Sequence, residues 1–420
     1  MRALTQWLSG PAEPRSFPYS SVLDEFHRIG KHFVGKSYLA LLDSARRAIA
    51  GQATDGGDAA TRQLTDFLDV ALDKWDGRYD YGSYLALRLL RLPDAPDDPS
   101  AAETAAGRRA RDRLLVRLVA DTLAFELAAA AHATGLLPLE RPGPVLVAKR
   151  CRLGVRAVAP ALTRLGVAEV AGAGTPAAAA AALHAVAREL VSPGDPSLRL
   201  SMLPVYVTHD EYLFIRVLQA YECIFAGVAD ELRAAVTALA GDTPGAAADR
   251  LGYAADLLRT AGPLFSLLAT MQPESFRTFR QYTEGASAIQ SRSYKLVESL
   301  CRTPEVDRLD SVAYQSTPEV QARVRGGQPT VDQTYRSAVS DGRLTGAEAV
   351  LVARGMAAFA GALTQWRRTH LRLAVRMLGP RSGTGYTEGT PYLAAVSAAP
   401  VFTAVTTDAP VADQDERRCA

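Results

Sequence analysis

The chain has 420 residues, enough for one large or two ordinary domains that each bury a full core. Its formal charge is only +2, with 47 basic and 45 acidic side chains interspersed, so it lacks the electrostatic footprint that nucleic acid or an anionic membrane surface requires. Cys151, Cys223, Cys301 and Cys419 lie far apart without a CxxC pattern, which excludes a zinc knuckle and a disulfide framework and fits a reducing compartment. The start, Met1-Arg-Ala-Leu-Thr-Gln-Trp-Leu, is too short and polar for a signal peptide, and the apolar region 114–138 is broken by Arg117, Asp121 and Glu126. These features predict a soluble, cytoplasmic protein with no membrane span.

Abundant alanine and leucine, helical periodicity and few alternating β-branched runs predict an all-α fold. Residues 20–50 and 60–78 read as two helices joined by a Gly/Asp-rich loop. A tyrosine-rich segment, Tyr79-Asp-Tyr81-Gly-Ser-Tyr84-Leu-Ala-Leu87, then runs into a Pro/Asp-rich linker, closing an N-terminal helical region over 1–100. Residues 101–205 read as an alanine-rich helical insertion interrupted by Pro142, Pro144, Gly172, Gly174 and Pro176. His132 and His184 in it are packing or surface residues, because a lone imidazole without partners is rarely a ligand.

The core is expected over 206–393. Thr208-His-Asp-Glu211 has the spacing of a capping box, and Phe214, Val217, Leu218, Tyr221 and Phe225 form the apolar stripe of a helix ending near Gly241. Gln219 and Glu222 on that helix are expected to satisfy buried partners. A further helix spans 248–271. In the short one that follows, Phe276 and Arg280 are four apart: either an aromatic wall beside a guanidinium, suited to an aromatic acid, or an arginine stem packed on a ring. Residues 303–343 are polar and irregular, and Thr345-Gly-Ala-Glu348 caps the last long helix.

On that helix Phe359, Leu363, Trp366, His370, Leu373, Ala374 and Met377 make one face with a single imidazole among apolar side chains. Leaving it unpaired costs roughly a few kcal/mol, so His370 hydrogen-bonds to the protein or binds a metal such as haem iron. Arg367, Arg368, Arg372 and Arg376 are expected to be solvated or to face a ligand's acid groups. Gly379-Pro380 stops the helix, and Gly383-Thr-Gly-Tyr-Thr-Glu-Gly389 has a backbone able to close over a ligand. Residues 394–420 are expected as a partly disordered tail.

Five segments in order resemble the tryptophan 2,3-dioxygenase superfamily of histidine-ligated haem proteins. They are Tyr81-Gly-Ser-Tyr84-Leu-Ala-Leu87, His209 through Glu222, Phe276-Arg-Thr-Phe-Arg280, Ala286-Ser-Ala-Ile-Gln-Ser291, and Trp366 through Leu393, with fourteen residues from His370 to Thr384 as in the family. Residues 1–75 and 88–205 are outside the resemblance. A weaker likeness is to secondary-metabolism relatives, including the pyrrolnitrin-pathway enzyme that rearranges a chlorotryptophan.

The resemblance implies a helical bundle around a b-type haem, with extra N-terminal helices. Covalent c-type attachment is excluded by the lack of CxxCH. It makes His370 the proximal iron ligand, with Trp366 close to the same cofactor and the other iron face left for O₂. Arg280 would hold the substrate carboxylate, Thr384 its ammonium, and Phe276 and Phe214 the aromatic pocket, with Ser287 on the distal side. Tyr81 and Tyr84 match residues that reach into a neighbouring subunit, which implies a homo-oligomer, dimer or tetramer. Three departures stand out: Leu218 replaces the family's distal histidine, Ala288 replaces a glycine, and the loop carries Tyr386 and Glu388. His209 lies in the capping segment and is not that missing base.

The expected activity is haem-dependent oxidation of L-tryptophan or a close indole amino acid by O₂, attacking the indole C2=C3 bond. One alternative is a monooxygenase, peroxygenase or ring-rearranging enzyme acting on a substituted tryptophan or tyrosine in natural-product assembly. Another is a haem or indole sensor without turnover.

Overall fold

The computed structural model describes residues 1–50, 58–93, 100–167, 170, 174–190, 194–378 and 390–405. Among these the chain is all-α without a strand; one isolated bridge joins Leu139 to Thr208. The expected fold class holds.

Four helices open the chain, α1 (Arg2–Leu8), α2 (Tyr19–Ile29), α3 (Lys36–Ala50) and α4 (Ala59–Ala71). They enclose a small core of their own, in which Trp7 meets Phe17 edge-on at 5.2 Å and Phe17 meets Phe67 at 6.1 Å. The single helix expected over 20–50 is broken at Gly30. Its φ of +84° is left-handed, and a Cβ there would sit 2.6 Å from Val205 O and from Tyr206 Cα. This close approach lets the Lys31 and His32 amides donate to Pro204 O and Val205 O, at 2.8 and 3.1 Å. The Lys31 ammonium, wholly buried, donates to Asp73 and to Val70 O, both at 2.6 Å. A distant segment therefore ends the helix.

Two short turns follow, α5 (Tyr81–Tyr84) and α6 (Leu87–Leu90), then α7 (Ala101–Ala130), α8 (Pro144–Arg164) and α9 (Pro176–Glu189). The alanine-rich stretch forms no separate unit: Leu115, Val119 and Phe125 of α7 and Val155 and Val158 of α8 share one continuous core with Leu213, Val217 and Ile224. After α10 (Ser197–Leu200), those last three belong to α11 (His209–Ala240), whose side chains are buried almost throughout. It is the spine of the molecule, packed by α7, by α12 (Pro244–Leu268), α13 (Pro273–Arg280) and α14 (Arg292–Cys301).

The polar segment 303–343 differs from its irregular expectation. It folds into α15 (Val306–Leu309), α16 (Val312–Gln315), α17 (Pro318–Arg325) and α18 (Val331–Ser340), mostly too short to show periodicity. The last long helix, α19 (Gly346–Leu378), starts with the expected Thr345/Glu348 capping box at 2.8 and 3.4 Å and packs along α12. Two helices, α11 and α19, are long and apolar enough to cross a bilayer; α11 is core, and α19 carries Trp366 and His370. Beyond α20 (Thr390–Ala398), Val401 and Phe402 are buried, and Asp332 accepts from the Thr403 and Ala404 amides at 2.8 Å, so this part of the expected tail is packed on the fold. Residues 406–420 and Gly379-Pro380 lie outside the described residues.

At the start of α11 the expected capping box is absent. Thr208 makes no side-chain cap bond; Glu211 instead accepts from the Val205 and Tyr206 amides at 2.6 and 3.0 Å. Beside it lies a fully buried ion cluster. Arg150 donates to Glu126 and Asp210, each at 2.7 Å, and to Thr270 Oγ1 at 3.1 Å, while His209 Nε2 is 3.2 Å from Glu126. Burial raises the Glu126 carboxyl, but His209 and Arg150 outweigh it and hold the group below its ordinary range. Asp210 also accepts from the Gln272 amide at 2.6 Å, which fixes the beginning of α13.

Removing one member of this cluster leaves uncompensated charge in the interior. Arg150→Ala is predicted to cost about 3–5 kcal/mol in denaturant-unfolding experiments. The exposed pair Arg259–Asp256 is the control, and Arg259→Ala is expected to change stability by less than about 1 kcal/mol.

Candidate functional site

The helices meet around a cavity of about 270 Å³. Every sequence-named site residue among the described residues lines it: Tyr81, Tyr84, Phe214, Leu218, Phe276, Arg280, Ser287, Trp366 and His370. Thr384, with the rest of the Gly383–Gly389 loop and its Tyr386 and Glu388, lies outside the described residues.

One end of the cavity is aromatic around the imidazole. Trp366 sits one turn before His370 on α19, with ring centroids 5.2 Å apart, and Phe265 of α12 stacks on His370 at 6.0 Å and 18°. Phe225, Tyr294 and Tyr221 surround the indole at 5.0, 5.5 and 6.0 Å. No hydrogen bond is formed to His370 among the described residues, and burial alone pushes its pKa down to about 4. The ring is therefore neutral near pH 7, the form that ligates a metal. Trp366 Nε1 likewise has no acceptor. An apolar cavity wall with a neutral, unpartnered imidazole fits a haem held through its iron, and the described residues hold no other cluster of metal-ligating side chains.

Phe276 and Arg280, one turn apart on α13, both line the cavity. Phe214 packs against Phe276 at 5.8 Å and Phe279 at 5.2 Å. Leu218, one turn further along α11, presents only methyl groups where the resembling family carries an imidazole.

Tyr81 and Tyr84 line the cavity of their own chain. Their turn is tied down within the chain: Gln290 Oε1 accepts from the amides of both Tyr81 and Ser287 at 3.0 Å, and Tyr84 Oη donates to Glu211 at 3.3 Å. Of the four arginines on α19, Arg367 is not solvated: it is buried at the cavity wall and donates to Tyr294 Oη and Ala399 O, both at 2.9 Å, whereas Arg368, Arg372 and Arg376 are exposed as expected. Gln219 does satisfy buried partners, donating to Leu85 O at 2.8 Å and accepting from Arg216 at 2.8 Å.

Lys295 of α14 was not anticipated. It is buried and lines the cavity, and burial lowers its pKa to about 8. A lysine on a short helix gives no sequence signal of burial; only Ser291, four residues earlier and itself facing the cavity, marks that side of α14.

A pH dependence follows. The His370 pKa falls from 6.5 in an unfolded chain to about 4 in the fold. The unfolded state thus binds more protons between these values, and His370 subtracts stability progressively as pH falls through that window. In haem-free protein, urea unfolding from pH 7 to pH 4 is expected to show this loss, and His370→Ala should flatten the slope.

A sequence model described as Tryptophan 2,3-dioxygenase matches residues 200–317, which include Leu218, Phe276, Arg280 and Ser287. A tryptophan 2,3-dioxygenase of Nocardioides sp. is 30% identical across 44% of this chain and 79% of its own length. Enzymes of the same name from Anaeromyxobacter sp. (strain K) and Burkholderia ambifaria are 27% and 25% identical, over 84% and 72% of their lengths. With the all-α fold and one cavity joining an arginine to a neutral imidazole, these similarities show that the chain belongs to the tryptophan 2,3-dioxygenase family of haem-dependent oxidoreductases.

Proposed function

We propose that the protein is a haem-dependent oxygenase that uses O₂ to oxidise L-tryptophan or a close indole amino acid. The observation that carries this reading is that Arg280 and His370, the latter neutral and without a hydrogen bond among the described residues, line the same cavity. His370 would hold the iron of a b-type haem, with Trp366 packed beside it. When bound, the haem supplies the activation of O₂ needed for attack on an indole C2=C3 bond.

The chain supplies position and exclusion of water. Arg280 would take the substrate carboxylate through its planar fork, and Thr384 its ammonium. Phe214, Phe276 and Tyr84 would wall the ring, with Ser287 and Tyr81 bordering the distal side. Fixing both ends of the substrate removes much of the entropic barrier to reaction. A dimer or tetramer belongs to the same reading, supported by the outer face of α19, where Val350, Leu351 and Val375 stand about half exposed.

Leu218 favours a second reading, a monooxygenase or ring-rearranging enzyme on a substituted tryptophan or tyrosine, because no imidazole meets the ring. Products decide between the two. The haem-reconstituted, reduced protein given O₂ and L-tryptophan should form N-formylkynurenine; O₂ consumption with a hydroxylated or rearranged product would move the assignment to the second reading. Absence of O₂ consumption with any aromatic amino acid would leave a sensor.

Charge-assisted hydrogen bonds contribute about 1.5–3 kcal/mol, so Arg280→Ala is predicted to lower substrate affinity roughly 10- to 100-fold. The haem spectrum without substrate should be unchanged. An equal loss in the affinity for an amino-acid ester, which has no carboxylate, would contradict the assigned role.

A further inference from the structure

The loss of the distal imidazole leaves the substrate ring without its expected partner, and the same helix offers another. Leu218 and Glu222 are four residues apart on α11, and both line the cavity. Glu222 thus projects from nearly the same helical face about 6 Å further along the axis. The position of this pair is fixed from both sides. Before it, Phe214 packs on Phe276, one turn from Arg280; after it, Phe225 packs on Trp366, one turn from His370. Along α11, Leu218 and Glu222 therefore stand between the Phe214–Phe276 contact beside Arg280 and the Phe225–Trp366 contact beside His370.

Glu222 is the one carboxylate among the described residues lining this cavity. It is 1% exposed, and its Oε1 has no hydrogen-bond partner. The hydroxyls of Ser291, Ser293 and Tyr81 hydrogen-bond to the carboxyl group, and the Lys295 ammonium attracts it. They oppose the burial that pushes its pKa up, but none is aligned on Oε1. A buried acceptor in this condition is destabilising unless a ligand donor reaches it. The other ionic groups of the cavity wall, Arg280, Lys295 and Arg367, are donors. The wall is thus built to meet a ring that carries a hydrogen on a polar atom.

We propose that Glu222 Oε1 accepts the hydrogen bond of the substrate's ring N–H, the contact that Leu218 cannot make, and so selects rings that carry such a donor. This deepens the indole amino-acid reading and rests on it. Glu222 acts here as a positioning and selecting residue. A carboxyl oxygen can accept in either protonation state, so no proton transfer from the ring is required.

The test compares two ligands of the same shape on the haem-reconstituted protein, L-tryptophan and its 3-benzothienyl analogue, in which sulfur replaces the ring N–H. Binding is read calorimetrically and as a shift of the haem absorption, so turnover is not needed. Wild type should bind tryptophan about 10-fold more tightly than the analogue. Glu222→Leu should weaken tryptophan alone and bring the ratio near one, and Glu222→Gln, which keeps a carbonyl acceptor, should retain a preference. A wild-type ratio near one, or an unchanged preference in Glu222→Leu, overturns the proposal while leaving the indole reading in place. If Glu222→Leu does not fold, the wild-type ratio and Glu222→Gln decide: loss of preference in a folded Glu222→Gln also overturns it. If wild type binds neither ligand, the indole reading itself fails and the role of Glu222 falls with it.

Discussion

Holding a neutral imidazole at an apolar cavity wall, without a hydrogen bond among the described residues, is unfavourable for the isolated fold, and the cavity is organised around sustaining that state. Phe265 and Trp366 pack against His370, and among the described residues no carboxylate or carbonyl offers its nitrogens a partner. A structural histidine would have been given one, as buried polar groups generally are. Binding free energy from a metal-centred ligand is the natural compensation, and it couples occupancy of the site to stability of the bundle. The same reasoning applies with less force to Trp366 Nε1 and Glu222 Oε1, which also lack partners along this cavity.

The walls are held by polar groups that accept or donate more than once. Gln290 takes amides from Tyr81 and Ser287 with one oxygen, so the tyrosine turn and the Ser287 segment move together. Glu211 takes two amides of residues 205–206 and the Tyr84 hydroxyl, joining the N-terminal region to the spine helix. Arg150, through Asp210, sets where α13 begins and so where Phe276 and Arg280 point. None of these groups needs to touch a ligand, yet each determines where the ligand's neighbours stand.

The cavity residues were legible because they recur at helical spacing. Phe214 and Leu218, Phe276 and Arg280, and Trp366 and His370 are pairs four apart, and one face of a helix can be read without knowing its neighbours. The supporting groups were illegible for the opposite reason. Gln290, Lys295 and Arg367 are residue types that sit at the surface by default, and their burial depends on segments distant in the chain. The break at Gly30 depends on residues 204–206, and the Thr208/Glu211 spacing matched a capping box whose acceptor turned to other amides. One-turn helices in 303–343 are shorter than any periodicity can reveal. Family resemblance drew attention to Tyr81 and Tyr84, but their ties to Gln290 and Glu211 depend on segments far away in the chain.

The central claim is that His370 holds a haem iron. Its most direct test is the absorption spectrum of protein reconstituted with haem, for wild type, His370→Gly, and His370→Gly with added imidazole. Wild type should show an intense Soret band, the variant its loss or displacement, and free imidazole should restore it by filling the space left by the side chain. An identical Soret band in His370→Gly without imidazole would contradict the claim, and so would the absence of haem binding by wild type.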